Sequence, residues 1–159
     1  MNRIARFERV SRERFVLDLP ELGAECYESI LLPRRATEHS AGYDFFTPYD
    51  VLLPAGGSAV VKTGIRAFME AGWALLIYPR SGLGFKFGIG LANTVGVIDG
   101  DYCYSDNEGH IMIKLTNPSD RSITLSAGTA VAQGIFTPYG ITVEDDAVAK
   151  RNGGFGSTG

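Results

Sequence analysis

Residues 73–84 read Trp73-Ala74-Leu75-Leu76-Ile77-Tyr78-Pro79-Arg80-Ser81-Gly82-Leu83-Gly84. Trp73, Leu75 and Ile77 alternate with Ala74, Leu76 and Tyr78, and both sets are apolar. That pattern predicts a strand buried on both faces, followed by a glycine-punctuated turn. The same period of two recurs on either side. Ile65, Ala67 and Met69 alternate with Arg66, Phe68 and Glu70; Ile111, Ile113 and Leu115 alternate with Met112 and Lys114; Ile123 and Leu125 follow suit. The 20 Gly and 7 Pro are scattered rather than pooled in a linker. They punctuate short apolar runs, as in a protein of many short strands joined by turns. Helix signals are few. Ser11 is placed to cap a short helix through Arg14 and Phe15 toward Leu17. The expected fold is all-β, with at most one or two short helical segments.

Bulk properties bound the function. A chain of 159 residues fits a single domain, 1–159, with a real core. Hydrophobic content of 45% and charged content of 21% predict a globular, soluble protein. A net charge of -3 argues against a broad basic face for nucleic acid. It leaves room for a small anionic ligand, which a few local donors can hold. Cys26 and Cys103 form no CxxC pair, and His39 and His110 lie far apart, so a zinc site is not expected. Reduced, structural thiols are the expectation for both cysteines. The charged N-terminus has no apolar run of signal-peptide length, and no stretch approaches a membrane span. A cytoplasmic protein without a membrane partner is therefore expected.

Three segments carry chemistry. In the first, Pro79 to Gly84, Arg80 supplies a planar, permanently charged donor fork suited to phosphate oxygens. Ser81 adds a hydroxyl, and Gly82 and Gly84 let backbone N–H groups approach an anion closely. An ordinary strand-to-turn junction with Arg80 as a surface charge accounts for the same residues. No Gly-Lys-Ser/Thr follows, so this is not a P-loop, and the later glycines do not give GxGxxG. The second segment runs from Asn93 to Tyr102. Asp99, a carboxylate on a sharp turn, suits orienting and deprotonating an attacking water. Asn93 offers both a donor and an acceptor, as reading a base edge requires. Tyr102 offers a flat face for a sugar or base. Asp-Gly is also a common hairpin dipeptide, so a plain polar turn remains open. The third segment is the tail from Arg151 to Gly159. Phe155 stands among Gly153, Gly154 and Gly156, followed by Ser157 and Thr158. This composition suits a lid ordered by a flat, phosphate-bearing ligand, and equally a disordered terminus.

Taken in order, these segments resemble the five motifs of the homotrimeric dUTPase family, from about residue 32 to residue 159. The motifs correspond to Ala41-Gly42-Tyr43-Asp44, to Pro79–Gly84, to Gly96–Tyr102, to Gly128–Gln133 and to Gly153–Gly159. The resemblance implies a jelly-roll-like β-barrel that hydrolyses dUTP to dUMP and pyrophosphate by water attack on the α-phosphate. Such an activity limits uracil in DNA and supplies dUMP for thymidylate synthesis. The resemblance further implies a homotrimer with active sites between subunits. It implies Mg2+ held by substrate phosphates and waters, with no direct protein ligand and Asp44 acting indirectly. Asp99 would be the base. Tyr102 would lie under the deoxyribose, and Asn93 with hairpin groups near Gly96, Val97, Ile98 and Met112 would read uracil. Arg80, Ser81, Gly82 and Gln133 would serve the phosphates. Phe155 would cover the uracil, with Arg151, Gly156, Ser157 and Thr158 closing on the phosphates. A carboxylate of ordinary acidity is ionised at neutral pH, as the base role needs. A metal on the phosphates neutralises charge that would repel the attacking water.

The sequence departs from the family pattern in places. Cys103 to Asn107 reads as an insertion after Tyr102, which lengthens the hairpin before Met112. Ala130 stands where the family usually carries an Arg; Lys62, Arg66, Lys114 and Arg121 are candidates to compensate. The tail is a residue shorter before Gly153. Residues 1–29 read as a charged N-terminal extension on the surface, and 150–159 as a flexible lid. A related dCTP deaminase would need a Glu on the strand 111–115 and a second Ser before the glycine of the second motif, and neither is present. A non-catalytic binding module using the inserted loop, and a purely structural jelly roll, are the remaining alternatives.

Overall fold

The structure, a computed structural model, describes residues 2–149, 151 and 153. In chain order the elements are β1 (Ala5–Arg9), α1 (Arg12–Asp18), α2 (Gly23–Cys26), a 3-10 turn (Tyr27–Ser29), β2 (Arg34–Arg35) and β3 (Tyr43–Phe46). Then come β4 (Val51–Leu53), β5 (Ser58–Lys62), β6 (Ile65–Met69), β7 (Trp73–Pro79), α3 (Ser81–Phe87), β8 (Gly90–Leu91) and β9 (Gly96–Ile98). A second 3-10 turn (Tyr102–Tyr104), β10 (Met112–Thr116), β11 (Ile123–Leu125) and β12 (Ala130–Pro138) complete the described part. The all-β expectation holds. Three short α-helices and two 3-10 turns stand where one or two helical segments were expected.

The strand predicted at 73–78 is the spine of the largest sheet, whose order is β2-β3-β12-β7-β9. β7 pairs antiparallel with β12 and with β9, placing Leu75 opposite Ile98 and Phe136. Three further sheets are paired β5-β10-β8, β1-β6 and β11-β4. The ladders stay as four sheets and do not close into one barrel, because strands as short as β2, β8 and β9 cannot carry hydrogen bonds around a full circuit. Their inward side chains nevertheless meet, together with Phe15 of α1, in one apolar cluster containing Phe45, Leu53, Leu75, Ile98, Ile113 and Leu115. Burying such side chains contributes about 1.5–3 kcal/mol each.

β7 is less covered than its sequence predicts. Its inner row, Leu75 and Ile77, is buried, while Leu76 on the outer row is half-buried. Leu76 lies level with Ile135 of β12 and Val97 of β9, and Val97 is 59% exposed. An apolar row therefore crosses three adjacent strands on the open side of the sheet.

The N-terminal segment was expected as a surface addition, and the structure corrects this. β1 pairs along its length with β6, and Val10 and Phe15 are fully buried. The reason is the amphipathic spacing around the helix that Ser11 caps: its hydroxyl accepts from the Arg14 N–H at 3.0 Å, and Phe15 points inward.

Candidate active site

The second motif falls where β7 ends. Arg80 directly precedes α3, and Ser81 and Gly82 form its first turn. Arg80 is held by Asp44 of β3 in a two-pronged contact, Nε to Oδ1 and Nη2 to Oδ2, each 3.0 Å. Register explains the pairing: Asp44 lies level with Gln133 of β12, which lies level with Tyr78 of β7. The Gln133 amide nitrogen donates to the Pro79 carbonyl at 3.1 Å and so fixes the corner from which Arg80 departs.

The third motif builds a different place. A cavity of about 510 Å³ is lined by Asn93, Gly96, Ile98 and Met112, with Ile77 as part of its apolar wall. Its size suits a small molecule, and its lining is mostly apolar with a few polar groups. Gly96 is needed here: a Cβ would meet the Ile77 Cβ at 3.2 Å and the Asn93 amide nitrogen at 3.7 Å. Between them Thr94 takes a φ of 63°, unusual for a β-branched residue, so the turn that presents Asn93 stores strain of about 1–3 kcal/mol. Val97 points away from this cavity, into the neighbouring one that Asp99 lines with Ala74 and Leu76.

Asp99 follows β9 directly, and its side chain is 48% exposed. Arg151 bridges it to Asp101: Nη2 donates to Asp99, and Nε donates to Asp101 at 3.0 Å. The Arg151 guanidinium carbon also lies 5.8 Å from the centroid of the Tyr102 ring. Tyr102 itself is 4% exposed. Its hydroxyl donates to the His110 carbonyl and accepts from the Asn107 amide, both at 2.9 Å. Burial pushes the phenol above its ordinary range. Phe155, Gly156, Ser157 and Thr158 lie outside the described residues.

Sequence reading missed the support behind Tyr102. Asn107 belongs to the inserted loop, and His110 is fully buried. His110 Nδ1 lies 2.6 Å from an Asp18 carboxylate oxygen of α1, and Nε2 accepts the Gly64 N–H at 2.8 Å. Neither residue carries a local signal, since a lone His or Asn has no pattern. The four cations proposed to compensate at Ala130 are elsewhere. Lys62 and Lys114 line the 510 Å³ cavity, Arg66 pairs with Glu8, and Arg121 lies on the surface beside Asp120.

For a metal, the donor set is sparse. Among the described residues no three His, Cys, Asp or Glu side chains gather as ligands. The carboxylates at hand are the Asp99–Asp101 pair and Asp44. Such a set fits a magnesium ion that arrives on phosphates and keeps most of its waters.

Fold and site together define a class: an all-β protein with a mostly apolar cavity, a turn-borne carboxylate at the neighbouring one and, separately, an arginine corner suited to anions. The dUTPase family model matches residues 28–159. The deoxyuridine 5'-triphosphate nucleotidohydrolase of Lactococcus lactis is 43% identical over 133 residues, covering 82% of this chain and 89% of that protein. That of Haemophilus ducreyi is 35% identical over 151 residues, covering 90% and 96%. The crystal structure of the Streptococcus mutans dUTPase superposes with a TM-score of 0.70 at 36% identity, covering 86% of this chain and 97% of that one. The chain belongs to the dUTPase family.

Proposed function

We propose that this chain hydrolyses dUTP to dUMP and pyrophosphate. The reading is carried by the succession along one strand: Gly96 and Ile98 line the 510 Å³ cavity, and Asp99, the next residue, brings a carboxylate to the cavity on the other side of the strand. Uracil in the cavity would meet the Asn93 amide and the backbone near Gly96, Ile98 and Met112. A site that hydrogen-bonds the uracil edge leaves groups unpaired against cytosine, and a tight hairpin has no room for the thymine methyl. The deoxyribose would lie toward Tyr102, and Asp99 would orient and deprotonate the water attacking the α-phosphate. Arg80, Ser81 and Gly82 would hold phosphate oxygens, with Asp44 and Gln133 aiming the arginine. Mg2+ on the triphosphate would supply charge neutralisation and leaving-group stabilisation. Residues 150–159 would act as a lid in which Arg151 leaves the carboxylates for the phosphates and Phe155, Gly156, Ser157 and Thr158 close over the nucleotide.

The site would be shared between copies in a homotrimer. Asp99 lies level with Ala74 at one end of β7, and Arg80 follows Pro79 at the other. At about 3.3 Å per residue they are roughly 20 Å apart. That is beyond the reach of the two side chains toward a common phosphate. The open Ile135–Leu76–Val97 row and Phe85, 96% exposed on α3, are the apolar surface that a neighbouring copy would cover. No helix among the described residues is long and apolar enough to cross a membrane, and a cytoplasmic enzyme is part of this reading.

The test is pyrophosphate release from dUTP, dCTP, dTTP and UTP, each with magnesium and with chelator. Release from dUTP alone, lost on chelation, is expected. Release from none of the four would overturn the proposal in favour of a binding module.

A further inference from the structure

A second cavity, of about 580 Å³, is lined by Arg34, Arg35, Asp44, Phe46, Arg80 and Ala130. Three guanidinium groups face one carboxylate in a chain whose net charge is -3, so this concave wall is a local concentration of positive charge. The three cations are employed differently. Arg80 gives both prongs to Asp44. Arg35 donates to the carbonyls of Glu38, at 2.7 Å, and Ser40, at 3.1 Å, and so ties down its own loop. Arg34 has no such engagement among the described residues. Its guanidinium carbon lies 5.3 Å from the centroid of the Phe46 ring.

Strand register places that group. Arg34 pairs with Asp44, and Phe46 pairs with Ala130. Alternation along β3 puts Asp44 and Phe46 on one face and the buried Phe45 on the other. The Arg34 guanidinium over Phe46 therefore stands beside Ala130, whose methyl leaves the neighbouring space open. Stacking uses the flat face of a guanidinium and keeps its in-plane N–H donors available for an anion.

We propose that Arg34 is a substrate-binding residue that holds the pyrophosphate portion of the nucleotide, next to Arg80. The proposal rests on the function given above, because it takes the α-phosphate to lie at Asp99. It also names the cation that stands in at Ala130. Arg34 is exposed, and its side chain makes no hydrogen bond or ion pair among the described residues, so its truncation should leave the fold intact.

The experiment compares wild type, Arg34→Ala and, as a control for overall charge, Arg121→Ala. Two quantities are read in magnesium: the KM for dUTP and the affinity for imidodiphosphate by titration calorimetry, with dUMP inhibition as a third arm. Arg34→Ala is expected to weaken imidodiphosphate and raise the KM for dUTP by roughly ten- to a hundred-fold. The dUMP inhibition constant and the Arg121→Ala variant should stay at wild-type values. Unchanged imidodiphosphate affinity, an equal loss in Arg121→Ala, or a loss confined to imidodiphosphate with dUTP unaffected would each overturn the proposal. Failure of the functional reading would show differently, as a wild type that releases no pyrophosphate from dUTP.

Discussion

At the scale of the residue, chemistry and scaffold divide along a visible line. Asp99 has an exposed carboxylate at the end of a strand, whereas Tyr102, three positions on, is locked by its hydroxyl to His110 and Asn107. The proposed base must move protons, and the proposed platform must not move. Asp99→Asn keeps the size of the side chain and loses its basicity. It should lower kcat by about 10²- to 10⁴-fold while the dUTP dissociation constant stays within a few-fold. Single-turnover kinetics beside direct titration separates the two, and near-native turnover would remove Asp99 from the role. The sequence singled out Asp99 and Arg80 as candidates because each lies next to or near glycines that mark a turn, and Asn93 because its amide both donates and accepts. Arg34, Asn107 and His110 were not singled out, since what distinguishes them is what folding brings against them.

At the scale of the element, the period-two segments became β6, β7, β10 and β11, and the Ser11 cap became α1. α3 was missed because two glycines lie inside it; it is closed by Gly88 at φ 69°, whose N–H returns to the Gly84 carbonyl. The bond between the N-terminal segment and Glu108, just after the inserted loop, was equally out of sight, as it joins residues 97 positions apart. The Ser11 N–H and hydroxyl donate to the Glu108 carboxylate at 2.7 and 2.5 Å, while the same hydroxyl caps α1. Ser11→Ala should cost about 1–2 kcal/mol in urea unfolding; a change within error would mean that the cap carries no weight. The Asp18–His110 pair gives a signed pH dependence. Burial holds His110 below its ordinary value of 6.5, outweighing the pull of Asp18. Burial pushes Asp18 up, but hydrogen bonds from Arg14 and His110 outweigh it and hold the carboxyl below 3.8. Both groups bind protons more readily when unfolded, so stability rises with pH. The His110 contribution is complete above 6.5 and is lost as the pH falls below it; the Asp18 contribution follows on stronger acidification. Urea midpoints measured from about pH 7 to about pH 5 should fall for wild type and flatten for His110→Gln. Parallel curves would sink this account.

At the scale of the whole molecule, the length of β7 decides what one chain can do. It keeps the carboxylate of Asp99 and the guanidinium of Arg80 apart, a fact invisible in the sequence until the strands are in register. Asp99→Asn and Arg80→Ala should each be inactive alone. Unfolded together and refolded as a mixture, they should recover about a quarter of wild-type activity, because some shared sites then receive both native side chains. No recovery from a correctly assembled mixture would place the whole site within one chain. A site divided between copies, as proposed, would also tie catalysis to supply. Where copies were scarce enough to dissociate, halving their number would remove more than half of the turnover, since a lone chain would then hold only part of the proposed machinery. A cell could then silence such an enzyme by thinning it out, with no inhibitor and no modification, and a daughter inheriting few copies would begin life almost without it.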